Sequence, residues 1–288
     1  MNKLMKNIIV CGVALVLTTG MTTQALAAES TSLLTYDRAK EAKENYTLMH
    51  GSSTMPEAKN DPELAAIMQK YIYGDLAKQT KLSNTERQLV TLVMLTANQN
   101  YTLLARAVEG AYNTKVTPLE MREALYHVAP YIGFPKVFEA LEVQNKVLKS
   151  KGVKLPLPVQ GTTTDENRFQ KGLKFQVDTY GERINTMRNN TPAEQKHLMD
   201  DLSAFCFGDI YTRGTLDLKT REMVTMAAIG SIGGADPQYK SHVRGTLAAG
   251  ATKEEVVGVI TTMNPYMGFP RTLNCLRIAN EVFKEKNL

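Results

Sequence analysis

The chain has 288 residues, 43% hydrophobic and 22% charged, with a formal net charge of +5 and no tryptophan. That length and balance give one large or two ordinary globular domains and exclude a disordered or collagen-like polymer. The basic excess is mild and forms no run, so it does not suggest a nucleic-acid partner.

The first predicted element is a leader. Lys3 and Lys6 precede an apolar stretch from Ile8 to Leu17 that is short for a membrane span, and Ala25-Leu26-Ala27 supplies a small-x-small cleavage signal. Residues 1–27 therefore read as a signal peptide. The mature chain is expected to be periplasmic or secreted, with no membrane association after cleavage. Loss of Lys3 and Lys6 lowers the charge to +3. Cys206 and Cys275 then remain; a disulfide is permitted in an oxidising compartment, but two buried free thiols are the simpler reading.

The rest of the chain is written twice. "LSNTERQLVTL" at 82–92 matches "LDLKTREMVTM" at 216–226, "YGDL" at 73–76 matches "FGDI" at 207–210, and "APYIGFPK" at 129–136 matches "NPYMGFPR" at 264–271. Arg38 to Gly51 has the spacing of Arg168 to Gly181. An ordered series at nearly constant offset marks a duplication. The expected units are 31–152 and 161–288, joined by a linker at 153–160 within the Pro-, Gly- and Thr-rich stretch 151–165.

Both units read as all-α. Ser83–Glu86, Thr117–Glu120, Thr191–Glu194 and Thr252–Glu255 have the spacing of capping boxes, and apolar residues recur behind them at helical intervals. No stretch alternates long enough to make a strand. In each octet, Gly133 or Gly268 ends one helix and Pro135 or Pro270 opens the next.

Among the histidines, His50, His127 and His197 read as surface or satisfied-core residues. His242 shares a helix face with Gln238 and borders the apolar positions Tyr239, Val243 and Leu247. A catalytic and a structural role are both open to it. Glu222, beside Arg221, is either the solvated edge of an apolar stripe or the partner of His242. No H-x-x-x-H or paired-Cys motif supports a metal, no G-x-S-x-G turn supports a serine hydrolase, and no glycine-rich loop supports a nucleotide.

The second copy carries Arg168, Gly172, Phe207-Gly208-Asp209, Arg213, Arg221-Glu222, His242-Val243-Arg244-Gly245, Gly250, Glu254-Glu255 and Gly268-Phe269-Pro270. This series resembles the carboxymuconolactone decarboxylase family, which is related to the alkylhydroperoxidase-D-type disulfide reductases. The resemblance implies two tandem copies of an alkylhydroperoxidase-D-like helical domain forming a pseudo-dimer, and assembly into a homo-oligomer. It also implies a small-molecule substrate bound between helices.

In the peroxidase branch a Glu relays protons to a C-x-x-C-x-x-x-H motif. Its positions fall on Glu222 and His242, but the two Cys positions hold Ala235 and Gln238, so the thiol chemistry of that branch is missing. Glu222 and His242 without cysteines fit the decarboxylase branch. There a carboxylated lactone loses CO₂ without a cofactor, His242 donates a proton, Glu222 orients it, and Arg221, Arg244 or Gln238 holds the substrate. In the first copy Gln88 and Ala107 stand at the Glu222 and His242 positions, leaving Arg87. That copy is expected to be chemically silent.

A lyase predicts that Glu222 and His242 converge on one pocket. An antioxidant peroxidase predicts a cysteine beside His242, and a non-catalytic binding module predicts no polar convergence.

Overall fold

The computed structural model describes residues 35–288; the leader assigned to 1–27 lies outside them. The first copy contains α1 (Arg38–His50), α2 (Pro62–Gln69), α3 (Asn84–Ala97), α4 (Tyr101–Asn113), α5 (Pro118–His127) and α6 (Phe134–Ser150). The second contains α7 (Arg168–Tyr180), α8 (Arg183–Asn189), α9 (Lys196–Asp201), α10 (Leu218–Ile232), α11 (Asp236–Ala248) and α12 (Lys253–Glu285). Among the described residues there is no strand, and no helix is long and apolar enough to cross a membrane. The stretch 153–165 has no helix or strand, and Arg122 pins it by donating to the carbonyls of Leu157 (3.0 Å) and Pro158 (2.7 Å).

Local chemistry sets most helix starts. Ser83, Thr117 and Thr252 form reciprocal capping boxes with Glu86, Glu120 and Glu255. The fourth expected box, Thr191–Glu194, does not form. The segment makes only a 3₁₀ turn at Ala193–Gln195, and the Thr191 hydroxyl turns back to donate to the Met187 carbonyl at 2.8 Å. α10 starts on Asp217, whose carboxylate accepts from the Thr220 amide at 2.8 Å. Both octets turn as expected: Gly133 (φ 87°) separates a single turn at Ala129–Ile132 from α6, and Gly268 (φ 77°) breaks the helical path of α12.

The copies share one construction detail. α2 and α9 each run on into a π-helical stretch, Lys70–Leu76 and Leu202–Tyr211, against which α1 and α7 pack. Arg38 grips Asp75 (Nε–Oδ1 3.0 Å) and Arg168 grips Asp209 (Nε–Oδ1 2.9 Å) across these crossings. The backbones nearly touch there. A Cβ on Gly208 would lie 2.1 Å from the Arg168 carbonyl oxygen, and one on Gly74 would lie 2.5 Å from that of Arg38.

The copies do not have separate cores. α3 and α10 pack against each other at the centre, and Leu89, Leu92 and Val93 belong to the same buried cluster as Met223, Met226 and Met263. α10 is buried on every side from Arg221 to Ser231, which is why its polar residues must find partners inside the protein. Polar contacts also cross between copies: Glu123, fully buried, accepts from Arg213 at 2.7 Å, and Lys219 bridges Glu86 and Glu255 at 2.9 and 2.8 Å.

Because the obstacle at Gly208 is backbone, Gly208→Ala should cost more than the ~1–3 kcal/mol usual for an overpacked core. Gly161→Ala, where an added Cβ meets nothing closer than 3.8 Å, should leave stability unchanged. Urea unfolding of the two variants checks this.

Candidate active site

Glu222 lies on the first turns of α10 with no solvent exposure. A buried carboxylate is tolerated only when its oxygens are well supplied with donors. Here Oε1 accepts from the Tyr180 hydroxyl at 2.6 Å and the Tyr211 hydroxyl at 2.9 Å, and Oε2 accepts from His242 Nδ1 at 2.8 Å. α11 comes close enough for this because of Gly245, where a Cβ would sit 2.4 Å from Oε2.

The proton positions follow. A carboxylate only accepts, so Nδ1 of His242 carries the hydrogen and Nε2 is the free nitrogen. Nε2 has no hydrogen-bond partner among the described residues and is not one of the buried atoms stranded without one. His242 keeps 9% exposure. It is therefore a histidine fixed by one nitrogen and open at the other.

Tyrosines wall the dyad. The Tyr180 and Tyr131 rings meet the His242 ring edge-on, with centroids 6.0 and 5.5 Å away, and the Tyr131 and Tyr211 hydroxyls are 3.0 Å apart. Burial first, then the neighbouring Glu222 charge, raises the pKa of Tyr211 far above its ordinary value. Tyr180 is raised by burial, by Tyr211 and by Glu222. Both stay neutral and act as hydrogen-bond donors. Tyr131 belongs to the first octet, so the first copy supplies part of the second copy's site.

Arg221 does not do what the sequence suggested. It is 2% exposed and its N–H groups are committed: to the carbonyls of Leu216 (3.2 Å), Ile210 (3.3 Å), Arg213 (2.6 Å) and Gly214 (3.0 Å), and to His127 Nδ1 (3.1 Å). It staples the loop after Tyr211 and has nothing left for a substrate carboxylate. Since a guanidinium only donates, His127 must accept at Nδ1 and donate from Nε2 to Thr225 Oγ1 at 3.0 Å. Burial, with Arg221 and His242 nearby, holds His127 well below its ordinary pKa and therefore neutral. His127 is thus a satisfied core histidine.

Arg244 also points elsewhere, pairing with Glu285 at 2.7 Å on the surface, while Gln238 is exposed one turn before His242. The guanidinium attached to the site is that of Arg183. It donates to the Tyr180 carbonyl (3.0 Å) and to Ser241 Oγ (2.8 Å), next in sequence to His242, and lies 5.5 Å from the centre of the Tyr180 ring. Sequence reasoning missed Arg183, Tyr131, Tyr180 and Tyr211. Tyr211 had a signal, the tyrosine closing "FGDIY"; Arg183 had none. Of the other histidines, His197 is exposed, and His50 has Nε2 3.3 Å from the Tyr73 hydroxyl while burial pushes its pKa down to about 4.

With this geometry in place, comparison with known proteins is informative. The family model "Carboxymuconolactone decarboxylase family" matches residues 62–146 and 196–281, more than half of the chain. The chain belongs to the carboxymuconolactone decarboxylase family. It is 30% identical over 122 residues to 4-carboxymuconolactone decarboxylase of Acinetobacter baylyi, covering 42% of this chain and 90% of that protein. It is 32% identical over 82 residues to nitrosuccinic acid decarboxylase of Metarhizium robertsii, covering 28% of this chain and 57% of that protein. A solved structure described as a gamma-carboxymuconolactone decarboxylase subunit from Burkholderia xenovorans superposes with a TM-score of 0.51. At 21% identity, over 88% of this chain and 100% of that one, it supports the all-α fold.

The thiols of this family member are poorly suited to the peroxidase branch. Cys206 and Cys275 are free and buried. Cys206 lies against the Tyr131 hydroxyl at 3.8 Å, and burial pushes the two thiols up to about 12 and about 11. A nucleophilic cysteine needs the opposite shift. Iodoacetamide at pH 8 should therefore leave both cysteines unmodified in the folded protein and label both in denaturant, as read by intact mass.

Proposed function

We propose that the protein is a cofactor-independent carboxy-lyase acting on a small carboxylated lactone or a related enolisable acid. The observation that carries this reading is the Glu222–His242 contact of 2.8 Å with the second imidazole nitrogen left open. In such a reaction the bond to the departing carboxylate breaks and CO₂ leaves. The electron pair passes into the conjugated carbonyl as a dienolate, which must then be protonated on carbon. In the proposed step the open Nε2 of His242 first takes a proton from solvent and then delivers it to that carbon, while Glu222 stabilises the transient imidazolium through Nδ1. The tyrosine donors hold Glu222 in place while its partner changes charge. Arg183, rather than Arg221 or Arg244, is the cation proposed to hold a substrate carboxylate, from its place beside Tyr180 and Ser241.

Two relatives whose names denote decarboxylases support the reaction type. The antioxidant alternative has less support, because Ala235 and Gln238 occupy the thiol positions and the remaining cysteines are buried. Export belongs to the proposal too: N-terminal sequencing of the mature protein should begin just after Ala27. Homo-oligomer formation is proposed through the exposed apolar faces Phe134–Phe138 and Phe269–Leu273, which occupy equivalent places in the two copies.

The decisive assay is CO₂ release from 4-carboxymuconolactone. His242→Ala should lower kcat by roughly 10²–10⁴-fold, the usual worth of a positioned acid. Arg183→Met should raise KM with a smaller change in kcat. Equal turnover by wild type and His242→Ala would remove His242 from the chemistry.

A further inference from the structure

Tyr211, His127 and His242 cluster around Glu222 in the second copy's site, and at the corresponding place in the first copy there is a cavity. A cavity of about 80 Å³ there is walled by Arg87, Gln88, Ala77, Ala107 and Thr262 among others. At the repeat offset Ala77 stands for Tyr211, Ala107 for His242 and Thr262 for His127. Three large side chains in and behind the second copy's site thus have small counterparts around one point in the first.

Two polar groups in that cavity, Arg87 and Gln88, make only long contacts. Arg221 has its donors committed to four carbonyls and an imidazole, yet Arg87 at the same place has one long contact, 3.4 Å from NH2 to the Asn84 amide oxygen. Arg87 forms no ion pair among the described residues, and burial lowers its pKa. Arg106, also on the wall, is already neutralised by Glu57 through bonds of 2.8 and 2.9 Å. Gln88 is only 3% exposed. Its Nε2 makes contacts of 3.5 and 3.7 Å, and its Oε1 accepts from no described residue. The remaining wall includes Met49, Met55 and Met68, which adapt readily to a ligand's shape.

The geometry points to a second ligand site in the first copy, one that binds a short-chain monocarboxylate without transforming it. The carboxylate pairs with Arg87 and hydrogen-bonds Gln88, and the hydrocarbon lies against the methionines. The volume is on the order of half that of a cavity that admits benzene, which limits the ligand to a few carbons. No acid or base stands at the Glu222 or His242 positions, so the bound molecule is unreacted.

Calorimetric titration of the full chain with sodium butyrate tests this, with butanamide as the uncharged control. Saturable binding of one butyrate is expected, with butanamide at least about tenfold weaker, as befits loss of a charge-assisted pair. Arg87→Met should weaken butyrate by a similar factor, and Ala107→Leu, which fills the hollow, should abolish binding. Should Arg87→Met fail to fold by circular dichroism, Ala107→Leu alone decides. His242→Ala should still bind, which separates this site from the proposed catalytic one. No saturable binding, equal binding of butanamide, or loss in His242→Ala with retention in the cavity variants would overturn the assignment.

Discussion

A carboxylate placed at the centre of a shared core dictates much of this molecule. Glu222 sits on a helix buried on all sides, where an unpaired charge would be ruinous, so its neighbours are arranged to donate to it. Tyr180 arrives on α7, Tyr211 at the end of a π-helical stretch, and His242 on α11 at a place where only glycine lets the helices approach. Arg221 then fixes the loop behind Tyr211, and His127 from the other copy fixes Arg221. Fold and candidate chemistry are the same set of contacts seen at two scales.

The duplication gives those contacts a reciprocal form. Tyr131 of the first octet stands against His242, and Tyr266 of the second octet lines the hollow beside Arg87. The repeated octet is therefore more than a helix corner. Its glycine turns the chain, and the tyrosine two residues before that glycine reaches into the opposite copy's site. Each copy is completed by the other, which is why a single buried cluster runs through both.

Much of this was legible in the residues. Helical periodicity, three of the four capping boxes and the ordered matches identify the tandem all-α architecture, because they depend on local spacing. The pairing of Glu222 with His242 was approached through resemblance, since nothing local says that a helix edge at 222 faces one at 242. Arg221 was misread because sequence reports a guanidinium but not the carbonyls that surround it. Arg183 and Tyr131 were invisible for the complementary reason: their importance comes from long-range packing. Thr191–Glu194 had the right spacing, but the Thr191 hydroxyl bonds the carbonyl of Met187 in the preceding turn instead of capping.

Covalent fusion of the halves has an evolutionary consequence. In a symmetric dimer built from one gene, every substitution strikes both clefts at once, so neither can be emptied while its twin keeps its acid and imidazole. Joining the halves through the stretch around 153–160 releases that coupling. One cleft can then retain Glu222 and His242 while the other trades bulk for space at Ala77 and Ala107, with the common core holding both in register.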